Sequence, residues 1–117
     1  MGNDNSPETL LLALQKLPLP SNAELVLFGL PSFQPEGDTN YVASSEFIAM
    51  DEPPLTALRR KRNATMCEGL RRLKAGKIHA FVSAGNTGAL VSGAKMILGN
   101  MPNVLCPALL ARMPDRK

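Results

Sequence analysis

The chain has 117 residues, 44% hydrophobic and 20% charged, with a formal net charge of +3 and a mean hydropathy of −0.04. This balance allows one domain with a modest core and excludes a wholly disordered chain. No apolar run reaches the about 18 residues of a membrane-spanning helix, and the opening Met-Gly-Asn-Asp-Asn has neither the basic nor the apolar region of a secretory signal. Two cysteines, Cys67 and Cys106, lack metal-ligand spacing; they exclude a disulfide scaffold and point to a reducing, cytoplasmic setting.

Ser6-Pro7-Glu8 reads as a helix start, with Ser6 capping, Pro7 at the first helical position and Glu8 at the positive end of the dipole. The helix is predicted to run to about Leu17, where Pro18 and Pro20 stop it. Residues 24–29 are a short apolar run ending in Gly29, predicted as a buried strand. Residues 31–40 are rich in turn formers and read as loop. Tyr41-Val42-Ala43 is predicted as a second short strand. Pro53-Pro54 opens a short helix through Leu58 into the basic run. A further helix starts near Asn63 or Thr65, with Met66, Leu70 and Leu73 on one face and Gly76 as its terminator. Ala80–Ser83 is predicted as a strand, residues 85–88 as a tight loop, residues 89–98 as a helix and residues 105–112 as a final strand.

Alternation of this kind predicts an α/β fold: a parallel Rossmann-like sheet with helices on both faces. A doubly wound domain normally opens with a strand. Here a turn-like stretch leads directly into a helix, so residues 1–117 are expected to be a partial domain without its first strand and its C-terminal part.

The charge is unevenly placed. Residues 1–58 carry eight acidic side chains and one basic, a net −7, whereas residues 59–77 carry eight basic and one acidic, a net +7. Such a segment attracts anions: phosphate, nucleic acid, an acidic protein or anionic lipid. Its densest part, Arg59-Arg60-Lys61-Arg62, reads either as a solvated helix end or as a contact for phosphate or an acidic partner. Nucleic acid is disfavoured, because four Phe, one Tyr and no Trp leave little for base stacking.

Ser83-Ala84-Gly85-Asn86-Thr87-Gly88-Ala89 sits between a predicted strand and a predicted helix. Glycines permit close backbone approach, and the first helical N–H groups suit a phosphate or oxyanion. The alternative is a plain strand-to-helix turn; the pattern is neither a Walker loop nor G-x-G-x-x-G. Asp51-Glu52 reads as paired carboxylates or as helix-start charges. Asp4, beside Gly2, reads as a ligand contact or a cap. His79 is read as structural. Cys67 lies beside the basic run, which could lower its pKa, but it is read first as a bystander thiol.

Three stretches, in order, resemble the PlsX family of bacterial phosphate acyltransferases. Met1-Gly2-Asn3-Asp4 with Ser6-Pro7-Glu8 is similar to the family's MGGD-x-x-PE opening. Ser45-Glu46-Phe47-Ile48-Ala49-Met50-Asp51-Glu52-Pro53-Pro54, running into Ala57-Leu58-Arg59-Arg60-Lys61-Arg62 and Met66, is similar to its SEVI-x-MD-x-P…A-x-R-x-K stretch. Val82–Leu90 is similar to its VSAGNTGAL signature. The resemblance spans essentially the whole chain and corresponds to the N-terminal third of the family's length. There are departures: Asn3 replaces a family Gly, Asn5 stands where His is usual, and Ala43 falls where the family often has His.

The resemblance implies transfer of a fatty acyl group from acyl carrier protein to inorganic phosphate, giving acyl phosphate for phospholipid synthesis. It implies no organic cofactor and no metal. It also implies a cytoplasmic homodimer that associates peripherally with the membrane through parts beyond the resemblance, and little or no activity for this chain alone. The residues it points to are Gly2, Asp4, Ser83, Gly85, Asn86, Thr87 and Gly88 around phosphate or substrate, with Arg59, Lys61 and Arg62 as basic contacts. No catalytic residue is assigned. Two other readings of the residues are a remnant that binds phosphate or acyl carrier protein without catalysis, and a small basic nucleic-acid-binding module.

Overall fold

The structure is a computed structural model that describes residues 6–37 and 40–110. Helix α1 spans Pro7–Gln15. The Ser6 hydroxyl caps it by accepting the Thr9 N–H at 3.3 Å, and Pro7 occupies the first helical position, where no N–H is needed. The helix ends two residues before the expected Leu17.

Strands β1 (Leu27–Gly29) and β2 (Tyr41–Ala43) pair in parallel, with Leu27, Phe28 and Gly29 opposite Tyr41, Val42 and Ala43. Backbone bonds from Leu27 N–H to Asn40 and from Ser44 N–H to Gly29 extend the ladder. The connection includes a 3₁₀ turn at Pro31–Phe33. A crossover is obligatory because parallel strands cannot be joined by a tight hairpin. Gly29 is required here: a β-carbon would run into the Tyr41 ring, whose hydroxyl donates to the Leu30 carbonyl at 2.7 Å. Burial pushes the Tyr41 pKa up.

Helix α2 spans Pro54–Arg60, α3 Thr65–Lys74 and α4 Thr87–Ile97. In α3, Glu68 sits in the first turn and Arg71, Arg72 and Lys74 in the last, as the helix dipole favours. Glu68 pairs with both Arg71 and Arg72 at 3.0 Å. Gly76, at φ +69°, stops the helix. Its N–H bonds Leu73 and the Lys77 N–H bonds Arg72, the paired closure of a Schellman motif.

The core lies among α2, α3 and α4. Ile48, Ala57, Leu58, Ala64, Met66, Cys67, Leu70 and Ala89 are buried, and Phe81, Leu90, Ala94 and Ile97 pack against them. Gly93 lets α3 and α4 approach: a β-carbon there would stand 3.0 Å from Leu70 and 3.3 Å from Leu58. Phe81 joins this core to the sheet, its ring edge-on to Phe28 at 5.7 Å and seated over Gly69.

Gly69→Ala should therefore destabilise the fold. Alanine gains about 0.5–1 kcal/mol over glycine inside a helix, but the new methyl meets the Phe81 ring, which also stands edge-on to Phe28. Overpacking costs about 1–3 kcal/mol, so the net loss should reach up to about 2.5 kcal/mol in urea unfolding. A raised midpoint would mean that Phe81 does not sit on α3.

Parallel strands and helices make this a partial α/β fold. Two sequence expectations need correction. Residues 80–83 and 105–110 form no strand among the described residues, and residues 111 and 112 lie outside them. A strand exists only when its N–H and C=O groups find a neighbouring strand. Among the described residues no backbone–backbone bond holds residues 80–83, and Val82 is 91% exposed. Leu105, Leu109 and Leu110 are likewise exposed. The apolar runs are present, but among the described residues they pair with neither outer edge of the β1–β2 sheet. The strand read over residues 24–29 is shorter than expected for the same reason, since only Leu27–Gly29 lie opposite β2.

Candidate functional site

The second and third sequence segments meet in space. Asn86 caps α4, its Oδ1 accepting the Ala89 N–H at 3.0 Å. Its Nδ2 donates to the carbonyls of Ala49, Met50 and Glu52 at 3.1, 3.2 and 3.0 Å. The loop before α2 is thereby bonded to the start of α4. Pro54, the first residue of α2, seals the joint: a β-carbon on Gly88 would lie 2.8 Å from its Cγ.

A second clamp closes the same loop from the other side. Lys61 caps the end of α2, and its Nζ bonds the Glu52 carboxylate at 2.6 Å and the Phe47 carbonyl at 3.0 Å, 5.8 Å from the centre of the Phe47 ring. Glu52 also accepts the Ala49 N–H at 2.8 Å. That backbone bond first, and the Lys61 bond second, hold the Glu52 carboxyl below the ordinary range.

The sign of the pH effect follows. A carboxyl that binds its proton less readily folded than unfolded stabilises the fold above the unfolded pKa, here near 4.5. That stability is lost as pH falls through the lower folded value. Glu52→Gln should be less stable than the parent at pH 7, and the two should converge as pH falls below about 4.5, in thermal melts across pH. A constant gap would show that the Glu52 charge does not hold the loop.

The expected site residues take distinct places. Ser83 and Gly85 are half-buried, and the Ser83 hydroxyl accepts the Gly85 N–H at 3.2 Å. Thr87 and Gly88 are exposed, and among the described residues their N–H groups bond no protein acceptor. Asn86 is 6% exposed, and both ends of its amide are occupied by the protein. Gly2 and Asp4 lie outside the described residues. Two clefts lie between α1 and β1, and residues 83–88 line neither of them.

In the basic segment, Lys61 is turned inward by its clamp, whereas Arg59, Arg60 and Arg62 are exposed and form no ion pair among the described residues. Arg71 is tied to Glu68 and donates to the Arg62 carbonyl at 2.8 Å. Cys67 is buried in the core, and burial pushes its thiol pKa up despite the opposing charge of Arg71; the basic run does not activate it. His79 is exposed. Among the described residues no group of His, Cys, Asp or Glu is arranged to hold a metal ion, and no helix is long and apolar enough to cross a membrane.

Asp51 and Glu52 do not act as a pair: Asp51 faces solvent, and Glu52 serves the loop. The clamping roles of Glu52 and Lys61 are not legible in their residue types. Asn86, which the resemblance puts around phosphate or substrate, caps α4 and ties it to the loop before α2, and an Asn directly before a helical run is a capping signal.

Comparison with known proteins finds relatives along the whole chain. A family described as fatty acid synthesis proteins matches residues 31–117. A protein of Thermotoga maritima named phosphate acyltransferase is 38% identical over 117 residues, covering all of this chain and 36% of its own length. Proteins of the same name from Halothermothrix orenii and Coxiella burnetii are 33% and 37% identical, with 38% and 37% of their lengths covered. The chain thus spans little more than a third of the relatives it matches. Over that span it belongs to the fatty acid synthesis protein family, PlsX.

Proposed function

We propose that this chain contributes the phosphate-handling corner of an acyltransferase of lipid synthesis, which moves a fatty acyl group from acyl carrier protein to inorganic phosphate. The observation that carries the reading is the match along this whole chain to a little over a third of proteins named phosphate acyltransferase. In the proposed step a phosphate oxygen attacks the thioester carbonyl carbon, the carbon–sulfur bond breaks, and the carrier leaves as its thiol after taking up a proton. The product is acyl phosphate. No covalent enzyme intermediate is required.

The geometry supports a division of labour. The Thr87 and Gly88 N–H groups, unbonded among the described residues and at the positive end of α4, suit a phosphate or the oxyanion that develops on the carbonyl. Arg59, Arg60 and Arg62 have charge to spare for phosphate or an acidic carrier protein. Lys61 supports the loop and is not counted among them.

The test is functional replacement. This chain is put in place of the matching stretch of the Thermotoga maritima protein, and the graft is assayed for phosphate-dependent release of the carrier thiol. Release is the expected result. A folded graft without release would overturn the reading.

A further inference from the structure

The Asn86 amide has two N–H donors and one carbonyl oxygen, all engaged within the protein. The donors are shared among the carbonyls of Ala49, Met50 and Glu52, 34 to 37 residues away in sequence, and the oxygen holds the Ala89 N–H. Both Nδ2 hydrogens are committed within the protein, and Oδ1 already accepts the capping bond. Its bonds determine where neighbouring groups stand. On one side are the exposed Thr87 and Gly88 amides. On the other is the loop that Lys61 closes and that leads into α2, whose end carries Arg59 and Arg60.

We infer that Asn86 is a positioning residue: it fixes the exposed Thr87 and Gly88 amides relative to the loop before α2 and the arginines beyond it. This rests on the acyltransferase reading and assigns Asn86 a role within it. Four hydrogen bonds on one buried amide over-determine its orientation. Small displacements of groups that hold a reacting anion are costly, a shift near 1 Å costing up to about a hundredfold.

Asn86→Ser separates the two halves of the side chain. Serine supplies an oxygen for the Ala89 N–H and keeps the cap, but it is too short to serve the three carbonyls. The experiment is a titration of the 117-residue chain with inorganic phosphate, following the amide resonances of Thr87 and Gly88, with a thermal melt of each protein. The parent should show saturable shifts at both amides. The variant should still unfold cooperatively but require about tenfold more phosphate or beyond. If Asn86→Ser does not fold, Asn86→Thr offers the same kind of hydroxyl cap and takes its place. A lower melting temperature with an unchanged phosphate midpoint would make Asn86 merely structural and overturn the positioning role alone. Absence of any response in the parent would overturn the inference together with phosphate binding at this loop, whereas the carrier-thiol assay would still judge the acyltransferase reading on its own terms.

Discussion

Leu70→Ala is expected to lower the unfolding free energy by about 2–5 kcal/mol, toward the upper end of that range. Leu70 is 2% exposed at the crossing of α3 and α4, in contact range of Gly93. The size of such a loss depends on how far the neighbours can collapse into the space. Here many of them are small: Gly93, Ala89, Ala64 and Ala57 have little or no side chain to move. The cavity should therefore persist. A domain of this length holds about 5–15 kcal/mol at best, so one substitution removes a large share. Urea unfolding followed by helical circular dichroism measures it. A loss below about 1 kcal/mol would mean that α3 and α4 do not pack as described.

The second large effect concerns charge. Reversing Arg60 and Arg62 to Glu changes the local charge by four units on a face with no acidic partner for these arginines among the described residues. Steering by surface charge alters association rates by about tenfold or more and is screened beyond roughly 8 Å at physiological ionic strength. If the arginines steer an acidic carrier, the double reversal in the Thermotoga graft should raise KM for acyl-acyl carrier protein about tenfold at low salt. It should leave kcat nearly unchanged, and the effect should shrink as salt is added. A rise in the phosphate requirement with little salt dependence would assign the arginines to phosphate instead. No change in a folded graft would leave them as a solvated helix end.

Local signals were legible in the sequence where the physics is local. Ser6-Pro7 started α1, Gly76 ended α3, and the Tyr41–Ala43 run became β2. What could not be read was set by distant partners. Val82 belongs to an apolar run, yet strand character depends on an edge to pair with, and residues 80–83 find none among the described residues. Lys61 looks like one more cation in a basic run. Only the return of residues 47–52 to the end of α2 shows that it faces inward. Asn86 is similar: a polar residue in a glycine loop suggests ligand contact, whereas its partners lie more than thirty residues earlier. The segments named the family, and the fold showed which of their side chains hold the segments together and which remain free.

On the proposed function, the joined segments 46–62 and 83–90 belong to an enzyme that makes acyl phosphate. The direct measurement replaces the matching 36% of the Thermotoga maritima protein with this chain and follows the products from acyl-acyl carrier protein and inorganic phosphate. Hydroxylamine traps the acyl phosphate as its hydroxamate, and the free carrier thiol is counted in parallel. One hydroxamate per thiol released is expected, with both products absent when phosphate is omitted. Thiol release that continues without phosphate, or a folded graft that yields neither product, would contradict it.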